Sequence, residues 1–407
     1  MPTGRGATIR AAVSRGVGLP PSIEDLHLAA PGAEEVRVEV TACAVCHSDL
    51  SYLDGTWATE FPLVLGHEAS GRVVELGSTR GGGSNSEADD CGSGTPAGGD
   101  IRVGDPVVVT LVRTCGKCRA CRRGHDVACT GNLALNHRSP LSDTDGNPVA
   151  QGLNVGAFAE QVVVHRSQVV RLPDDVDPLA ASLLGCGVLA GAGAVTNTAR
   201  VAAGDAVVVI GCGGVGTGAI QAARIAGAEP IIAVDPSGDK RSAALDFGAT
   251  LAVDPVTEDL AGAITTATDG RLADQILVTT GAPSALDGTV DLLAPMGNLV
   301  IVGMPGDDVT MEVAPSWLAA ANKSILGSKM GTIRVADDVP ALVEHHRAGR
   351  LDLHGMVSST HTLDDIAEAF DEVWRGDVLR TVVLPNSGPV PTESDGTTTT
   401  PQDTEPC

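Results

Sequence analysis

At 407 residues, with 43% hydrophobic and 19% charged, the chain has room for two or three domains with sizeable cores. Its 27 basic and 51 acidic residues leave a net charge of −24, which speaks against nucleic-acid and anionic-membrane partners. Aromatics at 2% and 50 glycines without a collagen period exclude a collagen, a coiled coil and a stacking-based RNA binder.

No stretch of eighteen apolar residues predicts a membrane span, and the start, MPTGRGATIRAAV, has no apolar block to suggest a secretory signal. A cytoplasmic, reducing setting is expected, so the ten cysteines point to metal ligation before disulfides. The acidity is consistent with a salt-tolerant host or with solubility alone.

In chain order, residues 34–40 alternate and predict a strand. Further β-like pieces follow at 71–76, 105–109 and 161–164, punctuated by Gly and Pro, which predicts an irregular β-rich domain. Near residue 190 the texture changes. The run 206–210 (AVVVI) suits a strand covered on both faces, and 215–226 is an Ala-rich helical stretch. Strand-like 230–235, 250–254, 273–279 and 298–303 then alternate with helix-like 240–247 and 284–293, the pattern of βαβ units and a parallel sheet. Helical pieces at 335–348 and 363–374 and a strand at 380–384 follow. Residues 78–100 are Gly/Ser-rich and acidic, and 386–407 are rich in Pro, Thr and acid; the first reads as a surface insertion and the second as a solvated tail.

Cys115, Cys118, Cys121 and Cys129 form C-x2-C-x2-C-x7-C, a spacing suited to a tetrahedral Zn2+ with every position filled, hence a structural site. The alternatives are unligated thiols or an Fe–S cluster, whose bacterial run ends Cys-Pro where this chain has Cys129-Thr130. His125, inside this lobe, reads as a polar bystander.

Gly211-Cys212-Gly213-Gly214-Val215-Gly216 matches G-x-G-x-x-G between a strand and a helix, and Asp235 ends the next strand 19 residues after Gly216. The glycines let backbone approach a pyrophosphate at a helix N-terminus. Asp235 would accept hydrogen bonds from the ribose hydroxyls and repel a 2′-phosphate, favouring NAD over NADP. Lys240 would edge the adenosine ribose. The alternative is a glycine turn that holds no ligand.

Three scattered elements remain: Cys46-His47-Ser48-Asp49, Gly66-His67-Glu68 and Gly185-Cys186-Gly187. Singly, each is more often structural than metal-binding. Together they offer two thiolates and one imidazole, a set that leaves a fourth zinc position open.

With the four-cysteine lobe, the glycine loop and Leu379-Arg380-Thr381, these elements resemble the zinc-dependent medium-chain alcohol dehydrogenase family over roughly residues 8–384. The resemblance implies an α/β chain with a GroES-like β-rich catalytic domain around a Rossmann doubly wound coenzyme domain. Its divisions would be 1–187 (zinc lobe 113–130, insertion 78–100), 188–325 for the NAD-binding domain, 326–385 returning to the catalytic domain, and 386–407 as the tail. It implies catalytic zinc on Cys46, His67 and Cys186, with Glu68 behind the metal and Asp49 hydrogen-bonded to the outer nitrogen of His67. A second, structural zinc would sit in the lobe. His47 and Arg380 would meet the coenzyme pyrophosphate, and Val302 with the Ile301–Met304 turn would line the nicotinamide.

In such enzymes zinc lowers the pKa of a bound alcohol, Ser48 takes the hydroxyl proton, and hydride passes to the nicotinamide. Many relatives pass the proton to a histidine three residues after the serine; here that position is Ser51, and the relay would use the coenzyme ribose, Ser51 or water. Trp57, Leu111 and Leu153 would face substrate, an apolar pocket suited to primary aliphatic or aromatic alcohols and their aldehydes. A mycothiol- or thiol-adduct formaldehyde dehydrogenase, or a nicotinoprotein with tightly held NAD, is the alternative. A dinucleotide-binding relative without zinc chemistry is a third, opposed by the intact Cys46/His67/Cys186 set. A homodimer or homotetramer is expected, with Asn298–Gly303 as the candidate sheet edge. Cys43, Cys91, Cys212 and Cys407 are assigned no role.

Overall fold

The computed structural model describes residues 6–77, 100–376 and 378–388. The expected insertion, apart from Asp100, and the tail beyond residue 388 lie outside these.

Two β structures form from the first part of the chain. A closed five-stranded barrel joins Ala7–Ser14, Ser22–Leu28, Leu141–Ser142, Pro148–Gln151 and Leu63–Val64. Beside it, a seven-stranded sheet is built around Glu35–Ala44, whose even-numbered residues Val36, Val38, Val40, Ala42 and Ala44 are all buried, the period-two alternation read in the sequence. The last strand, Arg380–Leu384, returns to pair antiparallel with it, Val382 opposite Ala44 and Val383 opposite Cys43. This return carries Arg380 across to the Cys46 segment. The helix Ile366–Arg375 buries Ile366, Ala369 and Phe370, an i, i+3, i+4 stripe. Phe370 meets Phe158 edge-on at 5.4 Å, and burying such a ring stabilises by roughly 2 kcal/mol.

The third sheet is parallel, in the order Leu251–Val253, Ile231–Val234, Val207–Ile210, Ala273–Val278, Leu293–Ile301, Ser324–Gly327. All four residues of Val207–Ile210 and of Ile231–Val234 are buried, because helices cover both faces. The order reverses beside Val207–Ile210, so a crevice opens at the carboxyl ends of the strands there. The helix Gly214–Ala226 packs closely on Gly187–Gly193: a Cβ on Gly191 would overlap the Val215 carbonyl, and one on Gly218 would lie 2.9 Å from Val188 Cα. Small residues here bring Cys186, the residue before the second helix, beside the glycine loop.

Two expectations fail. No α-helix spans 284–293; a single 3-10 turn, Pro283–Leu286, is followed by turns, with Gly288 at φ +67°, and the chain then enters the strand Leu293–Ile301. Asp287-Gly288 supplies the break, while Leu286 and Leu293 still reach the sheet core. Nor is Asn298–Gly303 an edge: Asn298 to Ile301 pair with Ser324–Gly327, which is itself the edge strand. That strand, Ser-Ile-Leu-Gly, is too short and too half-buried to show a period. Among the described residues no single helix is long and apolar enough to cross a membrane.

Candidate metal and coenzyme site

Cys46 caps the helix His47–Leu53, and Asp49 in its first turn is fully buried. The Asp49 carboxylate accepts from Cys46 N at 3.1 Å and from Gly66 N at 3.0 Å, and lies 3.1 Å from His67 Nδ1. One side chain thus ties two distant segments together and fixes the imidazole. Ligand atoms of Cys46, His67, Glu68 and Cys186 all lie within 4.8 Å of one another, and all four residues are buried.

The donor set fits a divalent metal. His67 Nδ1 is held by Asp49, while buried Nε2 has no hydrogen-bond partner. A hydrogen bond with Cys186 holds the Cys46 thiol well below its ordinary value despite burial, with His67 assisting; the same contact and burial push Cys186 well above its own. Two buried sulfurs converging with one imidazole nitrogen are donors a cation can take. Burial pushes Glu68 up to about 8 against the pull of Arg380. Glu68 stands among the donors and is ion-paired with Arg380, which is 5% exposed.

The four-cysteine lobe is a separate cluster. Its sulfurs are free thiols 3.4 Å apart for Cys118 and Cys121 and 4.0 Å for Cys115–Cys121 and Cys118–Cys129, far beyond the ~2 Å of a disulfide. Backbone N–H groups aim at them: Cys118 N and Lys117 N at Cys115 Sγ (3.3 and 3.4 Å), Cys115 N and Gly131 N at Cys129 Sγ (both 3.3 Å). Such donors stabilise thiolates; the N–H of Cys121 leads in lowering Cys118 to about 5. The donor chemistry again fits a soft divalent metal.

At the crevice, Gly211 has φ +93°, a conformation that favours glycine. A Cβ on Gly216 would overlap the Gly211 carbonyl, and one on Gly214 the Arg380 side chain, whereas Gly213 faces open space. An open loop at the N-terminus of the helix Gly214–Ala226, with an arginine alongside, fits a dinucleotide phosphate. Arg380 therefore lies between Glu68 and the glycine loop, a position the sequence reading gave only on the coenzyme side. Asp235 is 7% exposed, and its oxygens accept from Cys212 N (2.8 Å) and Ser237 N (2.9 Å). It shapes the loop as well as facing the crevice. Sequence reasoning missed Arg241, which donates to the carbonyls of Asp235 (2.7 Å) and Pro236 (2.9 Å) and braces this turn. Val215 lies in the first turn of the loop's helix and packs against the core. Lys240 Nζ lies beside Gly376, after the helix Ile366–Arg375. Val302 directly follows the strand Leu293–Ile301, its N–H bonded to Val278 O at 2.9 Å.

His47 is exposed and Ser48 half-buried, side by side at the start of their helix. Ser51 Oγ donates to the His47 carbonyl at 3.1 Å, inside its own helix. Trp57 is half-buried and edge-on to Tyr52 at 5.6 Å. Leu111 and Leu153 are half-buried, joined through Asn154 Nδ2, which donates to Leu111 O at 3.1 Å. Met330 was not foreseen: its Sδ lies 3.4 Å from Cys186 Sγ, held by a backbone at φ +50°.

Comparison with known proteins agrees with this geometry. Residues 32–174 match the family model of the alcohol dehydrogenase GroES-like domain, and residues 214–346 that of the zinc-binding dehydrogenase. The chain is 30% identical over 383 residues to an NDMA-dependent alcohol dehydrogenase of Amycolatopsis methanolica, covering 92% of this chain and 98% of that one. It is 32% identical over 376 residues to alcohol dehydrogenase B of Mycobacterium tuberculosis, covering 89% and 95%. The crystal structure of benzyl alcohol dehydrogenase from Acinetobacter calcoaceticus superposes with a TM-score of 0.82 at 29% identity, covering 93% of this chain and 99% of that one.

Proposed function

The chain belongs to the zinc-dependent medium-chain alcohol dehydrogenase family and is an oxidoreductase acting on alcohols; from that premise we propose that it interconverts primary alcohols and aldehydes with NAD. The observation that carries this reading is the convergence of Cys46, Cys186 and the unpartnered Nε2 of His67 beside an open glycine loop. Cys46, His67 and Cys186 hold one zinc and the four-cysteine lobe a second. When bound, the first metal supplies a Lewis acid for the alcohol oxygen and the nicotinamide supplies the hydride acceptor. Asp49 keeps His67 in the tautomer whose Nε2 is free to ligate. Ser48 Oγ takes the alcohol proton. Ser51 Oγ donates to the His47 carbonyl and keeps its lone pairs to accept; the proton leaves along the coenzyme ribose, Ser51 or water. Arg380 and His47 meet the pyrophosphate, Asp235 and Lys240 the adenosine ribose, and Val302 the nicotinamide. Trp57, Leu111 and Leu153 make the apolar side of the alcohol pocket.

The test is NADH absorbance when the purified protein meets free NAD and benzyl alcohol, where a steady rise is expected. The NDMA dependence in the name of the Amycolatopsis relative favours one second reading, a nicotinoprotein that keeps its coenzyme and needs an external acceptor. That reading predicts no rise, and turnover only when an artificial electron acceptor is added. Activity only with formaldehyde and mycothiol would mean a thiol-adduct substrate instead.

The functional unit of this reading is cytoplasmic and at least a homodimer. The edge strand Ser324–Gly327 has one free side, and the adjoining helix Pro315–Ala321 buries none of its residues. Trp317 is 61% and Met296 69% exposed. A second copy would cover this apolar edge. Light scattering should give the mass of two chains or a multiple, and Trp317→Glu should shift it toward one. A monomeric wild-type chain would refute the reading.

A further inference from the structure

Arg113 lies two residues before the first cysteine of the lobe and two after Leu111, and is 8% exposed. A buried guanidinium commonly finds a carboxylate. This one is spread over three neutral acceptors from three segments. Its Nε donates to Gln168 Oε1 at 2.9 Å, Nη1 to Asn136 Oδ1 at 3.0 Å, and Nη2 to the Asn154 carbonyl at 2.9 Å. Each acceptor is itself tied down. Gln168 Nε2 donates to Thr110 O (3.0 Å) and to Asn154 O (3.2 Å). Asn136 Nδ2 donates to Gly131 O at 3.0 Å, just after the lobe's last cysteine. Asn154 Nδ2 donates to Leu111 O.

The loop so gripped is unusual. Leu153 has φ +49° and Asn154 φ +67°, two consecutive non-glycine residues in the left-handed region. Such conformations persist only where the surroundings over-determine them. Here the surroundings are the Arg113 fork and its partners. A planar fork can serve three directions at once, which a lysine ammonium on a flexible stem cannot reproduce in geometry.

We propose that Arg113 is a positioning residue for the alcohol pocket: it fixes the Leu153 loop against Leu111 and the four-cysteine lobe, and so sets which alcohol sizes are accepted. The proposal rests on the reading above that Leu111 and Leu153 face substrate. Charge alone is not its means, because the acceptors are neutral; geometry is.

The experiment compares Arg113→Met and Arg113→Lys with the wild type, using ethanol and benzyl alcohol. The ratio of their KM values should move about tenfold in both variants while the KM for coenzyme stays within about twofold. Amides of Val155 and Gly156, which bond to Gly152 O at 3.1 and 3.3 Å, should exchange hydrogen about tenfold faster. If Arg113→Met does not fold, Asn136→Ala removes one acceptor and should move both readouts the same way by less. Folded variants with unchanged exchange and an unchanged KM ratio would overturn the proposal, as would a uniform loss for both alcohols. Leu153→Ala separates this from the pocket reading. If it shifts the ratio while the Arg113 variants do not, the pocket stands and the positioning role falls. If Leu153→Ala leaves the ratio unchanged, the pocket reading fails and takes the proposal with it.

Discussion

Cys46→Ser should lower bound zinc from two per chain to about one and reduce turnover by about 10³-fold or more, equivalent to ~4 kcal/mol of lost transition-state stabilisation. The prediction follows from burial and pairing. Cys46 is 6% exposed, and its thiol is held well below the ordinary value by its hydrogen bond to Cys186, with His67 assisting. A serine hydroxyl in that place neither ionises near neutral pH nor suits a soft metal. The remaining donors, His67, Cys186 and Glu68, then lose a thiolate whose charge would offset that of the metal. The lobe should be untouched, because its four sulfurs form a separate cluster with their own backbone donors. Metal analysis beside a turnover assay checks both halves. Two zinc ions retained with normal activity would remove Cys46 from the ligand set.

That contrast also explains which parts of the site were legible in the sequence. Cys115, Cys118, Cys121 and Cys129 lie within one short stretch, so their spacing alone displays the cluster. The glycine loop is equally local, because strand, turn and helix are consecutive. Cys46, His67 and Cys186 are different: 140 positions separate the first from the last, and no periodicity links them. They could be grouped only through resemblance, and the physical cause of their meeting, the Asp49 carboxylate and the Gly191 close approach, is visible only in three dimensions. Arg113 left no signal, since its partners Asn136, Asn154 and Gln168 lie in three other segments; Arg241 left none because it acts on backbone carbonyls, which any sequence offers. The barrel strands Leu63–Val64 and Leu141–Ser142 are two residues long, too short for alternation to register. The helix Gly187–Gly193 contains three glycines in seven residues, against local propensity; Gly191 is required by the packing on the helix Gly214–Ala226, and Gly193 by the close approach of Gly331.

Asp235→Gly should weaken NAD binding by about 100-fold or more while weakening NADP far less. Each hydrogen bond from a ribose hydroxyl to a carboxylate contributes ~1.5–3 kcal/mol, and two are lost, at ~1.4 kcal/mol per tenfold. The carboxylate also organises the protein. Its oxygens accept from Cys212 N and Ser237 N, so their removal loosens the first turn of the glycine loop. That second effect falls on both coenzymes alike. The ratio of the two dissociation constants therefore isolates ribose reading from loop disorder, where a single affinity would not. The sign for NADP follows from charge. Removing the carboxylate lifts its repulsion of a 2′-phosphate, which offsets part of the loop's loss. Arg241 stands at the same turn, donating to the Asp235 carbonyl and paired with Asp254 at 3.4 Å. Titration of both coenzymes by fluorescence or calorimetry decides the matter. An equal loss for NAD and NADP would mean that Asp235 only holds the loop, and that coenzyme choice is made elsewhere.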